Sequence, residues 1–182
     1  MMAENSSESG SAMAPTTGFS AIVDRGLSEE SVVPMRIFLA GIMQGSHAGL
    51  LLHDQDYRRH IRLLLETHLP AAEVYDPRAD HHNSIEYDEA TGRRVFFQHN
   101  QMCREVDVLL AFVPEASMGT AIEMWEAYQH GAAVITISPL KHNWAVKFLS
   151  HAIYGDVVEF EAALESGRVA REIQDVLKNR PA

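Results

Sequence analysis

The chain has 182 residues, 46% of them apolar, with a formal net charge of -10. This length and apolar content predict one domain of ordinary size with a proper core. An acidic chain without clustered Lys or Arg argues against wrapping a nucleic acid polymer or binding an anionic membrane. The single cysteine, Cys103, excludes a disulfide framework and a cysteine-rich zinc site. It predicts a cytoplasmic protein in which Cys103 is a packing residue.

The predicted elements begin after a polar segment. Residues 1–34 are rich in Ser, Glu, Ala and Gly and predict a flexible tail, followed by one domain over residues 35–182. Apolar runs predict strands at 36–41, 73–76, 108–112, 133–137 and 157–158. Helices are predicted at 54–68, 93–106, 120–130 and 144–151, with one more at the C-terminus. No run is long and apolar enough for a membrane span, and no secretory signal is evident.

This alternation of strands and helices predicts an α/β fold. The expected form is a three-layer α/β/α, flavodoxin-like (Rossmann-like) domain with a five-stranded parallel sheet in the order 2-1-3-4-5. Such folds bind ligands beyond the carboxyl ends of the strands, where the strand order reverses. The rule selects the loops that follow the first, third and fourth strands.

The segment most indicative of chemistry runs from Ser117 to Glu123. A buried strand ends at Phe112, and Ser117 and Gly119 then lead into a helix whose free amides and dipole favour an anion. Gly119 allows the backbone to approach a ligand closely. The alternative is a capping box, in which Thr120 caps the helix and Glu123 falls in its first turn.

The stretch from 107 to 139 resembles the nucleoside 2-deoxyribosyltransferase superfamily. In that family a strand that begins with Asp leads to a Gly-containing loop and a helix whose early Glu is the nucleophile. The run that ends at Gly41 also looks like the family's first strand and glycine loop. The resemblance implies that Glu123 attacks the sugar carbon of an N-glycosidic bond, without metal or cofactor. It further implies a small nucleoside or nucleotide as substrate, and a homodimer or larger homo-oligomer.

Ser117 is the residue that distinguishes two subfamilies of the superfamily that this chain resembles. At the position six residues before the nucleophile, the transferases generally have an acid, whereas the 5′-monophosphate N-hydrolases have a Ser that contacts phosphate. Ser117 therefore favours hydrolysis of a (deoxy)nucleoside 5′-monophosphate. The alternatives are that Ser117 only turns the loop, that the protein transfers deoxyribose between bases, or that it binds a nucleotide without turnover. A flavin carrier of the same fold is a further alternative.

Two positions depart from the family pattern. His99 stands where a second catalytic Asp is usual, and the hypothesis that it relays protons competes with packing or solvent exposure. Three acids are candidates to replace the missing one: Asp80, Glu86 and Asp88. Ile42 and Gln44 follow the first strand where the hydrolases have Ser and Arg, and Ser46 lies further along.

Other polar and aromatic residues lie near the predicted ligand edge. Asp80 belongs to a segment, residues 76–83, that is more typical of a base- or sugar-binding loop than of a metal site. Asn143 follows the fourth strand and is a candidate to contact substrate, as is Lys147. Three aromatic residues are predicted in the core or at a subunit contact: Trp125, Tyr128 and Trp144.

Overall fold

The computed structural model describes residues 34–45 and 52–180. Five strands form one parallel sheet: β1 (Met35–Gly41), β2 (Ala72–Tyr75), β3 (Val108–Phe112), β4 (Ala133–Ile137) and β5 (Ala152–Tyr154). Their order is β2-β1-β3-β4-β5, so the predicted α/β class and flavodoxin-like strand order are confirmed. Residues 1–33 of the predicted tail lie outside the described residues, and the domain boundary stays a prediction.

Seven α-helices and one 3₁₀ turn lie between or after the described strands. The helices are α1 (Asp56–His68), α2 (Pro77–Asp80), α3 (Glu89–Glu105), α4 (Met118–Gln129), α5 (Trp144–Leu149), α6 (Val157–Glu165) and α7 (Arg168–Lys178), and the 3₁₀ turn is Ser84–Glu86. No helix within 34–45 and 52–180 is long and apolar enough to cross a membrane.

The alternation of side chains along the central strands divides the core into two layers. In β1, Ile37 and Leu39 pack with apolar residues of α1, α6 and α7 on one face of the sheet. Phe38 and Ala40 pack with residues of α3, α4 and α5 on the other. Cys103 is fully buried in this second layer, which confirms that it is a packing residue.

The order of the strands leaves a crevice between the carboxyl ends of β1 and β3. β1 pairs with β2 on one side and with β3 on the other, and Gly41 lies opposite Phe112. The connection after β1 runs through α1 on one face, while α3 precedes β3 on the opposite face. This reversal leaves the carboxyl ends of β1 and β3 open to a ligand.

The predicted fifth strand was placed too far along the chain. The β-branched pair Val157–Val158 begins α6, because Asp156 precedes it and accepts a hydrogen bond from the Glu159 amide at 2.8 Å. An aspartate N-cap stabilises the start of a helix by about 1 kcal/mol, which is enough to offset the β-propensity of two valines. The true β5 ends at Tyr154, and the C-terminal segment contains two helices.

Candidate active site

Glu123 lies in the second turn of α4, not in the first as predicted. The helix begins at Met118, and the N-cap is Ser117, whose Oγ accepts hydrogen bonds from the Thr120 amide at 3.4 Å and hydroxyl at 3.0 Å. The capping box in which Thr120 caps the helix is therefore wrong, because Thr120 is already helical. Glu123 has no capping role and faces a cavity.

That cavity has a volume of about 350 Å³ and lies at the crevice between β1 and β3. Its walls come from the loop after β1, from α3, and from the start of α4: Gly41, Gln44, Phe96, His99, Ser117 and Glu123 are among them. Met118, Gly119 and Thr120 also line the α4 side. The structure thus brings together five of the predicted site residues in one cavity: Gly41, His99, Ser117, Gly119 and Glu123.

Burial controls the charge of Glu123. The side chain keeps contact with the cavity, but the surrounding protein removes water from its carboxyl and raises its pKa to about 7, against an opposing effect of Arg58. Glu123 lies beyond the first turn of α4, on which the helix dipole mainly acts, so the dipole does little to offset the effect of burial. Close to neutral pH, a substantial fraction of Glu123 is protonated.

The position of the Tyr57 side chain requires a glycine at residue 41. A Cβ at Gly41 would collide with the Tyr57 hydroxyl, which donates a hydrogen bond to the Ile42 carbonyl at 3.2 Å. The Tyr57 ring stacks on Phe112, with ring centroids 4.1 Å apart. Burial raises the pKa of Tyr57 to about 12, and the charges of Asp76 and Glu123 contribute. Tyr57 therefore stays protonated beside the cavity.

His99 lies in α3 between the Glu123 cavity and a second hollow of about 260 Å³. Its Nε2 is 3.3 Å from the Tyr75 hydroxyl, and its ring contacts that of His81, with centroids 5.1 Å apart. Burial, the nearby His81 and the more distant Arg58 lower its pKa to about 4, against Asp80. His99 is therefore a neutral imidazole at physiological pH.

The second hollow has aromatic and polar walls. Residues after β2 and from α3 line it, among them His81, Ser84, Tyr87 and Phe96. His81 Nδ1 lies 2.9 Å from the Tyr87 hydroxyl. This composition suits a flat heterocycle, which stacks on aromatic rings and forms hydrogen bonds at its edge.

The acids proposed to replace the missing Asp have other positions. Asp80 is exposed at the end of α2, outside the described walls of both cavities, and its charge adds to the effect of burial in raising the pKa of Tyr75. Asp88 caps α3 by accepting from the Thr91 amide at 2.7 Å, and Glu86 is exposed. Within the described ranges, no three His, Cys, Asp or Glu side chains converge on a point that a metal ion would occupy.

Asn143 borders a third hollow rather than the Glu123 cavity. This hollow has a volume of about 370 Å³, shares Ser117 and Met118 with the Glu123 cavity, and is otherwise mostly apolar. Asn143 is the N-cap of α5, and its Oδ1 accepts from the Ala145 amide at 3.0 Å. Ser46 lies outside the described residues, so its contact with substrate stays a prediction.

The aromatic residues predicted in the core are exposed. Trp125 is 51% exposed on α4 and Trp144 is 78% exposed on α5, and Tyr128 is also exposed. The core interpretation is therefore wrong for these three residues. The helical pattern identified them as apolar, but it did not show which face of α4 packs on the sheet.

The free space around Gly119 allows a test of whether substrate comes close to this part of α4. A Cβ at Gly119 would meet no atom within 4 Å, so Gly119→Ala should keep the fold, with a gain of at most about 1 kcal/mol from helix propensity. We expect KM to rise about tenfold, because the methyl group occupies space next to the substrate. Steady-state kinetics together with thermal unfolding check this. An unchanged KM would show that substrate does not approach α4 at this residue.

No protein-family model and no curated protein sequence matches the chain. Among solved structures, it is similar to a 2-deoxyribosyltransferase from Bacillus psychrosaccharolyticus, with a TM-score of 0.53 and 20% identity over 71% of this chain and 95% of that one. A CMP N-glycosidase from Clostridium botulinum gives a TM-score of 0.44 and 23% identity over 72% and 98% of the two chains. A conserved protein from Enterococcus faecalis V583 gives 0.46 and 15% over 79% and 99%. At these identities only the fold is shown: the chain has the α/β fold of a 2-deoxyribosyltransferase.

Proposed function

We propose that this protein hydrolyses the N-glycosidic bond of a (deoxy)nucleoside 5′-monophosphate, with Glu123 as the nucleophile. The observation that carries the proposal is a carboxyl group held in the wall of a cavity at the switch point of the sheet. A pKa of about 7 is typical of a functional carboxyl rather than of a surface one. The fold likeness to a 2-deoxyribosyltransferase supports the same class of chemistry.

The proposed reaction has two steps. In the first, a Glu123 oxygen bonds to C1′ of the sugar while the C1′–N bond breaks. The electron pair of the C1′–N bond leaves with the base, which then takes a proton from water. In the second, a water oxygen bonds to C1′, the ester C1′–O bond breaks, and its electron pair restores the carboxylate. The attacking water releases a proton, which the hydroxide left by the first step takes up, so that one water is consumed in total and charge balances.

His99 is proposed to contact the leaving base as a neutral hydrogen-bonding group. It borders both the Glu123 cavity and the aromatic hollow, so a sugar over Glu123 and a base in the hollow would meet at His99. When the Tyr75 hydroxyl donates to Nε2, the imidazole proton lies on Nδ1, and this is the tautomer that we propose.

Ser117 supports the monophosphate as substrate. Its hydroxyl accepts from Thr120 and can still donate its own proton, and it lies beside the first amides of α4. Backbone amides and a hydroxyl at a helix N-terminus suit a phosphate dianion.

A specific observation also favours deoxyribosyl transfer from uncharged nucleosides. The described walls of the three hollows contain no Lys or Arg side chain. A phosphate would therefore depend on amides and hydroxyls, without a cationic side chain from the described residues. Transfer is the second candidate function, with a free base as the acceptor.

Base release from a panel of substrates separates these functions. The panel contains each common ribo- and deoxyribonucleoside and its 5′-monophosphate, with and without a free acceptor base, and chromatography detects the products. Base released from monophosphates, and lost in Glu123→Ala, supports the hydrolase. A new nucleoside formed only with acceptor supports transfer. Tight binding without any product would overturn both and favour a nucleotide-binding protein.

We propose that the exposed aromatic face is a homo-oligomer contact. α4 packs against α3 and α5, and these helices expose Phe97, Trp125, Trp144 and Phe148. Apolar patches of this kind mark interaction surfaces. Trp125→Glu should convert the oligomer into a monomer in light scattering, whereas Val158→Glu, at an exposed apolar residue of α6, should not. A wild-type monomer would contradict the proposal.

A further inference from the structure

A buried arginine joins the ends of two strands beneath the candidate site. Arg58 of α1 is only 3% exposed. Its Nη1 donates to the Leu39 carbonyl at 3.0 Å and to Asp76 Oδ1 at 2.9 Å, while Nη2 donates to the Gly41 carbonyl at 3.1 Å and Nε to Gln55 Oε1 at 2.9 Å. Arg58 therefore ties the end of β1 to the residue that follows β2.

This arrangement places a buried positive charge directly behind the cavity. Gly41, whose carbonyl Arg58 binds, is itself part of the cavity wall that faces Glu123. Burying a guanidinium is costly unless its donors are satisfied and its charge is paired. Here Asp76 supplies the pairing on the β2 side, and the charge still acts on Glu123.

We infer that Arg58 is a positioning residue for the proposed reaction. It holds the end of β1 in place and supplies the buried positive charge that favours the carboxylate form of Glu123, and Asp76 limits the strength of that charge. The inference rests on the proposed function only for its kinetic consequence, since the effect on Glu123 itself is a property of the resting protein.

Among the described residues, three other titratable groups near Glu123 do not supply such a charge. From α1, Tyr57 has its pKa raised to about 12 and stays neutral. From α3, burial raises the pKa of the Cys103 thiol and lowers that of His99, so both are also neutral. Arg58 is the charged group that opposes the effect of burial on the Glu123 carboxyl.

Two substitutions should move the ionisation of Glu123 in opposite directions. Arg58→Gln removes the positive charge and should shift the titration upward by about one pH unit, since an opposite charge nearby favours ionisation. Asp76→Asn removes the negative charge that is paired with Arg58 and should shift the titration of Glu123 downward. Asn is as good an N-cap as Asp, so the cap that residue 76 provides to α2 through the Arg78 amide at 3.0 Å is kept.

The control is Arg62→Gln, at an exposed arginine of α1 that is paired with Glu66 at 2.7 Å. This substitution should cause no shift in the titration of Glu123.

Two readouts distinguish this inference from the proposed function. Carbon-13 NMR of labelled glutamate carboxyls follows the titration of Glu123, assigned by its loss in Glu123→Gln, and needs no turnover. The pH dependence of kcat/KM should show an ascending limb with the same midpoint, near pH 7 in the wild type. At pH 6, Arg58→Gln should then lose about tenfold in kcat/KM, with little loss at pH 9.

The outcomes are separate for the two claims. Opposite shifts of the NMR titration support the inference, even if no substrate is turned over. A titration unchanged in folded Arg58→Gln and Asp76→Asn, or shifted in the same direction in both, overturns it. If Arg58→Gln does not fold, Asp76→Asn decides alone, and an unshifted titration overturns the inference. Absence of base release from every substrate overturns the proposed function instead.

Discussion

Replacing Glu123 by Gln should reduce the rate of base release by about 10⁴-fold, since loss of a nucleophile that acts within a preorganised site typically has an effect of this size. The amide has nearly the shape of the protonated acid but cannot form the sugar ester. Substrate affinity should change little, because the cavity walls are otherwise intact. Single-turnover base release and calorimetric binding measure the two effects separately.

Controls for this substitution are available on the same helix. Glu126 lies one turn further along α4 and pairs with Arg104 at 2.8 Å on the outside of the protein. Glu126→Gln should therefore retain base release. Glu123→Ala leaves space in which formate or azide can attack C1′, and either anion should restore part of the rate. If Glu123→Gln keeps more than about a tenth of the wild-type rate, Glu123 is not the nucleophile.

The same substitution should stabilise the protein at alkaline pH. The pKa of Glu123 is about 7 in the fold, against an ordinary value of 4.5. Between these values the folded protein holds a proton that the unfolded chain has lost, so the contribution of Glu123 to stability falls as pH rises through this window. Above pH 7, Glu123→Gln should gain on the order of 2 kcal/mol, a figure reduced because the side chain is partly exposed to the cavity.

Thermal unfolding at several pH values measures this gain. The unfolding temperature of Glu123→Gln relative to wild type should rise between pH 4.5 and 7, and the excess should then level off at roughly 4 to 8 °C. Glu115→Gln, at an exposed residue of the loop before α4, is the matched control. If the difference in unfolding temperature between Glu123→Gln and wild type does not vary with pH, burial does not raise the pKa of Glu123. Lower activity with higher stability would mark a functional site.

Much of the fold was predictable because each buried strand is a short apolar run next to a turn. β1, β3 and β4 follow this rule, whereas β2 is short and only partly buried and was recognised as the run before Pro77. β5 was missed because it has only three residues, of which Tyr154 alone is buried, whereas the more apolar Val157–Val158 begins a helix. At that position the Asp156 cap outweighed β-propensity.

The candidate site was predictable only in part. Sequence reasoning located Ser117, Gly119 and Glu123 on one loop and helix, and Gly41 at the end of β1, and all four line one cavity. It missed Arg58, although the spacing of Arg58, Ile61 and Leu65 places the arginine on the buried stripe of α1. An arginine on such a stripe must find partners, which is a signal for a buried ion pair.

The amino-acid sequence by itself determined the class of fold, the strand order, and the loop and helix that carry Ser117 and Glu123, because hydrophobic periodicity and local caps act over a few residues. The tertiary structure decided the charge states. Glu123 is partly protonated and His99 neutral because the surrounding elements remove water from them, and Arg58 acts on both from a different helix. Such effects depend on burial and on distances between elements that are far apart in the chain. Local sequence patterns do not contain those distances.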